Sequence, residues 1–92
     1  MFIKSLKEGE RLWIGSRVLR LISIERYGVG TLLIDDEETV TVSWDRKLPL
    51  FEDVDICTDR KSGQGERLKL MIDAPLHISI EGEPHGTERD NS

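Results

Sequence analysis

Apolar residues recur along this chain with a period of two. Val18-Leu19-Arg20-Leu21-Ile22-Ser23-Ile24 reads as a strand and Thr39-Val40-Thr41-Val42-Ser43-Trp44 alternates strictly. Val54–Thr58, Leu68–Ile72 and Leu76–Ile80 repeat the pattern. A strand of this kind has one apolar face, which must be covered by a second sheet or by closure of its own sheet. No stretch of ten residues carries a helical stripe. Turn signals divide the runs at Glu8-Gly9-Glu10, Gly15-Ser16, Tyr27–Gly30, Asp35–Glu38, Lys61–Gly65 and Asp73-Ala74-Pro75. Short strands with short turns specify an all-β chain, an antiparallel meander folded into a small barrel or sandwich.

At 92 residues there is length for one core. The domain is set at residues 1–85. The polar stretch from Glu83 to Ser92 contains Pro84 and Gly86, and its tail, 86–92, is expected to be disordered. No run approaches the roughly 18 apolar residues of a membrane helix, so no membrane partner is expected. Lys4 and Lys7 place charge where a secretory signal needs an apolar segment, which makes the expected location cytoplasmic. The single cysteine, Cys57, excludes an internal disulfide, and it is expected to be buried in its strand. Two histidines without a cysteine cluster give no metal site, and no cofactor is expected. With neither staple available to so small a core, association into a dimer is expected.

The net charge of −5 is unevenly distributed: residues 1–30 carry +3, residues 31–59 carry −7 and residues 60–92 carry −1. An acidic chain repels phosphate at long range, yet a local basic strand can hold nucleic acid with strong salt dependence.

Leu32-Leu33-Ile34-Asp35 through Val42 can be laid on Leu70-Met71-Ile72-Asp73 through Ile80 at a constant offset of 38. Upstream, Ile14-Gly15-Ser16-Arg17-Val18 aligns with Leu50-Phe51-Glu52-Asp53-Val54 at an offset of 36. The chain therefore reads as a tandem repeat, residues 1–47 and a partial second unit 48–85, with two extra residues assigned to the Lys61–Gly65 loop.

Met1-Phe2-Ile3, Gly9-Glu10-Arg11-Leu12-Trp13-Ile14-Gly15 and Val18 resemble, without a gap, the opening of the carbon storage regulator (CsrA/RsmA) family of bacterial RNA-binding proteins. Ile34-Asp35 with Val40-Thr41-Val42, and Asp73-Ala74-Pro75 with Ile78 and Ile80, fall where that family has its I-(D/N)-A-P stretch and its following strand. The resemblance implies a strand-exchanged β-dimer in which the first strand of one unit lies beside the fifth strand of the other, with GGA-containing RNA bound at that seam. In this chain the first strand is Phe2–Lys7, and the fifth is Val40–Trp44 or Ile78–Gly82. A tandem chain could close Phe2–Lys7 against Ile78–Gly82 as a pseudo-dimer, or two chains could close the same strands between them. The implied RNA-binding residues are Lys4, Leu6, Lys7 and Arg11 on one side, and Ala74, Pro75, Ile78, Ile80 and Gly82 on the other.

The departures are specific. The family's first-strand arginines fall on Leu6 and Lys7, and its fifth-strand arginine falls on Trp44 and Gly82. The histidine before that arginine becomes Ser43 and Glu81, the A-P of the first unit becomes Asp36-Glu37, and the family's C-terminal helix has no counterpart. Lysine lacks the planar fork with which arginine grips phosphate and guanine edges, so the usual contacts are removed.

Lys4, Lys7 and Arg11, with Arg17 and Arg20 on the next strand, are the remaining phosphate-binding candidates. They can equally be a solvated sheet face. Trp44 can stack on an unpaired base, although its alternation with Val40 and Val42 favours packing into a core or interface. Asp35-Asp36-Glu37-Glu38 lacks the spacing and glycine of a calcium loop and reads as a solvated acidic turn. His77 and His85 stand eight apart with no nucleophile or carboxylate in motif spacing, so no catalysis is expected. Gly28-Val29-Gly30 has no following helix to make a phosphate cradle. Two functions follow as expectations. One is a non-catalytic translational regulator binding GGA-containing leaders or small RNAs. The other is an interaction module without RNA chemistry that pairs, as a heterodimer, with a regulator still carrying the arginines and antagonises it.

Overall fold

The computed structural model describes residues 1–51, 53–63 and 67–82. The tail expected to be disordered, His85, and part of the Lys61–Gly65 loop lie outside these. The described residues form β1 (Phe2–Lys7), β2 (Arg11–Ile14), β3 (Arg17–Arg26), β4 (Val29–Ile34), β5 (Glu38–Val42), β6 (Leu48–Phe51), β7 (Val54–Thr58), β8 (Arg67–Asp73) and β9 (Ile80–Gly82). All the pairings are antiparallel, and they build two sheets ordered β1-β8-β7-β6 and β5-β4-β3-β2-β9. The all-β reading holds.

The alternation read from the sequence decides which face is buried. Leu19 and Leu21 of β3 point into the core with Leu12 and Ile14 of β2, while Val18, Arg20 and Ile22 face outward. In the other sheet Leu68, Leu70 and Ile72 of β8 point inward beside Leu6 of β1 and Ile56 of β7. These side chains, with Leu32, Ile34, Val42 and Val54, form one cluster between the sheets. Each buried Leu or Ile contributes about 1.5–3 kcal/mol relative to exposure, so this cluster is the main source of stability in a chain without a disulfide.

Strands from the two halves of the chain interleave in the pairing. The meander β2-β3-β4 belongs to the first half and β6-β7-β8 to the second, and each is completed by a strand from the other half. β1 pairs with β8, from Phe2 opposite Ile72 to Lys7 opposite Arg67. β9 pairs with β2, from Leu12 opposite Gly82 to Ile14 opposite Ile80. The halves are thus tied by a reciprocal exchange of terminal strands within one chain. β5 lies beside β4 and has no equivalent beside β8, because β1 occupies that edge. Among the described residues no strand covers the β6 edge, and Pro49 removes a donor from it, which blunts pairing with another chain.

Three local expectations are corrected. Leu76–Ile80 is not one strand: Leu76, His77 and Ile78 form a turn closed by the Ile78 N–H on the Pro75 carbonyl (3.0 Å), and pairing begins only at Ile80. Pro75 has no donor for a ladder, and Leu76 is left fully exposed. Trp44 lies beyond the end of β5 and is 43% exposed, so it does not continue the inward row of Val40 and Val42. Cys57 is half-buried on the outward face of β7, opposite Met71, since Ile56 and Thr58 take the inward positions.

Candidate nucleic-acid interface

Among the described residues β1 and β9 each pair on one side only, in different sheets. The seam implied by the resemblance is therefore not a hydrogen-bonded pair of strands. It is a gap between two sheet edges on the same flank of the sandwich. Alternation sends Phe2, Lys4 and Leu6 toward the interior side of β1. Leu6 reaches the core, whereas Lys4, nearer the rim, runs across the gap. A β-carbon built on Gly82 would stand 3.0 Å from the Lys4 Nζ and 2.9 Å from its Cε. Glycine at 82 leaves the room that this side chain occupies.

Next to this contact the gap widens into a groove of about 220 Å³, lined by Met1, Phe2, Ile72, Ala74, Pro75, Leu76, Ile78 and Ile80. Ile78 also lines an adjoining hollow with Ile14, Arg17, Phe51 and Val54. The turn that displaces Leu76–Ile78 from the sheet forms this wall. It is fixed by the Ile78–Pro75 bond and by the Gly15 N–H donated to the Ser79 carbonyl at 2.7 Å.

Six of the residues nominated from the sequence, Lys4, Ala74, Pro75, Ile78, Ile80 and Gly82, are brought to this flank. Three are not. Leu6 is 1% exposed within the core and can touch no ligand, which corrects its assignment to RNA binding. Lys7 points to the opposite face of β1 from Lys4, beside its cross-strand partner Arg67. Arg11 lies on the outward face of the other sheet, opposite Arg20 and with its guanidinium 5.0 Å from the Trp13 ring centre. Lys4, Lys7 and Arg11 consequently do not form one basic row. The sequence reading missed Arg67, which β1–β8 pairing sets next to Lys7, and missed Met1 and Phe2 as groove walls. Only the register between remote strands reveals Arg67.

Arg17 is committed elsewhere. It pairs with the Asp35 carboxylate and covers the Phe51 ring at 4.1 Å. The Val18 N–H donated to Asp35 (3.0 Å), and then Arg17, hold the Asp35 carboxyl below its ordinary range. The acidic turn therefore pins β3 to β4 through one of its carboxylates. Among the described residues no cluster of His, Cys, Asp and Glu can hold a metal ion.

Trp44 sits at the far end of the sandwich. Its ring is seated on Gly28, whose absent β-carbon would stand 2.5 Å from Trp44 Cδ1, and the Arg60 guanidinium lies 5.1 Å from its centre. Set against family models, curated proteins and solved structures, the chain matches none of them.

Proposed function

We propose that this chain is a non-catalytic RNA-binding regulator of translation, of the carbon storage regulator type, which holds a GGA-containing loop over the gap between β1 and β9. The observation that carries this reading is the reciprocal strand exchange, which sets Lys4 of β1 against Gly82 of β9 within a single chain. Ala74, Pro75, Ile78 and Ile80 supply an apolar wall against which unpaired bases can lie, as expected of single-stranded RNA recognition. Lys4 supplies the phosphate contact on this flank, with Lys7 and Arg67 on the adjoining face of β1 and β8. With about three phosphates in reach, the salt slope for a single strand is shallow, roughly −2 in log–log form.

The test is titration of a labelled GGA stem-loop at low and at physiological salt, against a scrambled-loop control. Preference for the GGA loop, lost in the Lys4→Glu, Lys7→Glu double variant, supports the reading. Binding that survives that double variant removes the seam assignment.

A second reading is favoured by the charge around the groove. Asp53, Asp55 and Asp73, the last paired with Lys47 at 3.4 Å, stand at the same end as Phe2 and Ala74, and neither β1 nor β9 carries an arginine. Under this reading the chain pairs with a regulator that retains the arginines, its acidic end occupying that partner's basic RNA site. Co-elution of the two proteins as one species in gel filtration supports it, and elution as separate species excludes it.

A further inference from the structure

One end of the molecule is rich in carboxylates, with Arg17 paired to Asp35 and Lys47 to Asp73 among them. Asp35, Asp36, Glu37, Asp53, Asp55 and Asp73 gather where β1 starts and β4 and β8 finish. At the other end, the length of the ten-residue β3 away, three loops meet: Tyr27-Gly28, Ser43–Arg46 and Asp59–Gly63. They are sewn together by the Thr58 N–H on the Ser43 carbonyl (3.2 Å), the Gly28 N–H on the Ser62 carbonyl (2.8 Å) and the Thr58 hydroxyl on the Gly28 carbonyl. On this base stand two exposed aromatic rings, Trp44 (43%) and Tyr27 (56%).

Trp44 is held rather than loose. Gly28 stands at a φ of 71°, and a side chain there would collide with both the Trp44 ring and the Arg60 backbone, at 2.5 and 3.1 Å. The Arg60 guanidinium lies over the indole. Arg46 and Lys61 stand on these loops and Arg26 ends β3 beside them, and none of these four cations is in an ion pair with another described residue. The carboxylates nearby are engaged locally: Glu25 by the Ser23 and Thr31 hydroxyls, Asp45 by the Ser43 hydroxyl, and Asp59 by the Lys61 N–H and Lys69.

We propose that this end of the sandwich is a second nucleic-acid contact, where an unpaired base of single-stranded RNA stacks on Trp44 beside Tyr27 while Arg26, Arg60 and Lys61 meet the phosphates. A fixed, half-exposed indole already layered with a guanidinium is an arrangement on which a base extends the stack, and stacking accepts any base because each has a π-face. Arg26, Arg46, Arg60 and Lys61, outnumbering Glu25, Asp45 and Asp59 here, favour an anionic ligand. This contact is separate from the β1–β9 groove and would bind RNA flanking a loop held there.

The experiment uses the full chain with Trp13→Phe, so that Trp44 is the sole tryptophan, and titrates a short unstructured oligouridylate at low salt. The expected result is quenching of the Trp44 emission and, with a fluorescein-labelled oligouridylate read by anisotropy, an affinity about tenfold or more weaker in Trp44→Ala and largely recovered in Trp44→Phe. Arg60→Glu, on the exposed surface, should weaken binding without loss of far-ultraviolet circular dichroism. Absence of quenching at saturating oligouridylate, or equal affinity in Trp44→Ala, Trp44→Phe and Arg60→Glu, overturns the proposal. A GGA stem-loop that binds through Lys4 without affecting Trp44 would leave the groove reading standing and remove this one alone.

Discussion

The Lys4 side chain spans the gap between the two sheets and lies against Gly82, its Nζ 3.0 Å from where a β-carbon on residue 82 would stand. The obstacle to a larger residue is thus the far end of a flexible lysine, not backbone. Gly82→Ala should change stability by no more than about 0.5 kcal/mol, read as an unmoved urea midpoint. The same substitution moves the ammonium out of the gap, so affinity for a GGA stem-loop should fall. An unchanged affinity would show that Lys4 does not act from this position.

Leu6 and Lys7 are neighbours with opposite roles. Leu6→Ala removes a side chain that β1 inserts into a core built largely by the rest of the chain, and should cost about 2–5 kcal/mol. Lys7→Ala, on the exposed face, should stay within about 0.5 kcal/mol. Denaturant unfolding monitored by circular dichroism separates them. Equal effects would mean that β1 does not dock on β8.

Thr58 is the one buried polar residue among those described, 3% exposed, and its hydroxyl donates to the Gly28 carbonyl. Thr58→Val keeps the shape and deletes the donor, at an expected cost of about 1–2 kcal/mol. Gly28→Ala adds a β-carbon at a left-handed φ where Trp44 and Arg60 leave no room, at about 1–3 kcal/mol or more. Thermal melts should show both losses, the Gly28 variant also shifting the tryptophan emission.

Asp35 links stability to pH. Its folded carboxyl is held below the ordinary value of 3.8 by the Val18 N–H and Arg17. A group depressed in the folded state favours folding when ionised. Its contribution is fully present above the unfolded value and is lost as pH falls through the lower folded one. Asp35→Asn, which tolerates the left-handed φ of 52° at this position, should flatten the acid side of a melting-temperature profile. It should also lower stability at neutral pH. An acid limb identical to that of the parent chain would remove Asp35 from this role.

The strand content and the inward faces of Leu19, Leu21, Ile56, Leu68, Leu70 and Ile72 were legible in the sequence, because alternation in an extended chain is a local property. So was the Asp35 turn. Where local and global demands diverged, the sequence misled. Leu76–Ile80 alternates like a strand, yet Pro75 and the Gly15–Ser79 bond turn it into the groove wall. Trp44 alternates with Val40 and Val42, yet the sheet ends at Val42. Tertiary structure alone decided that β1 pairs with β8 and β9 with β2, which separates Lys4 from Lys7, joins Lys7 to Arg67, and brings Lys4 to Gly82. It alone gathered Tyr27, Trp44 and Arg60 at one end. Periodicity specifies which face of a strand is buried but not which strand lies alongside; that choice follows from burying both halves' apolar faces in one core, a condition no local window of sequence contains.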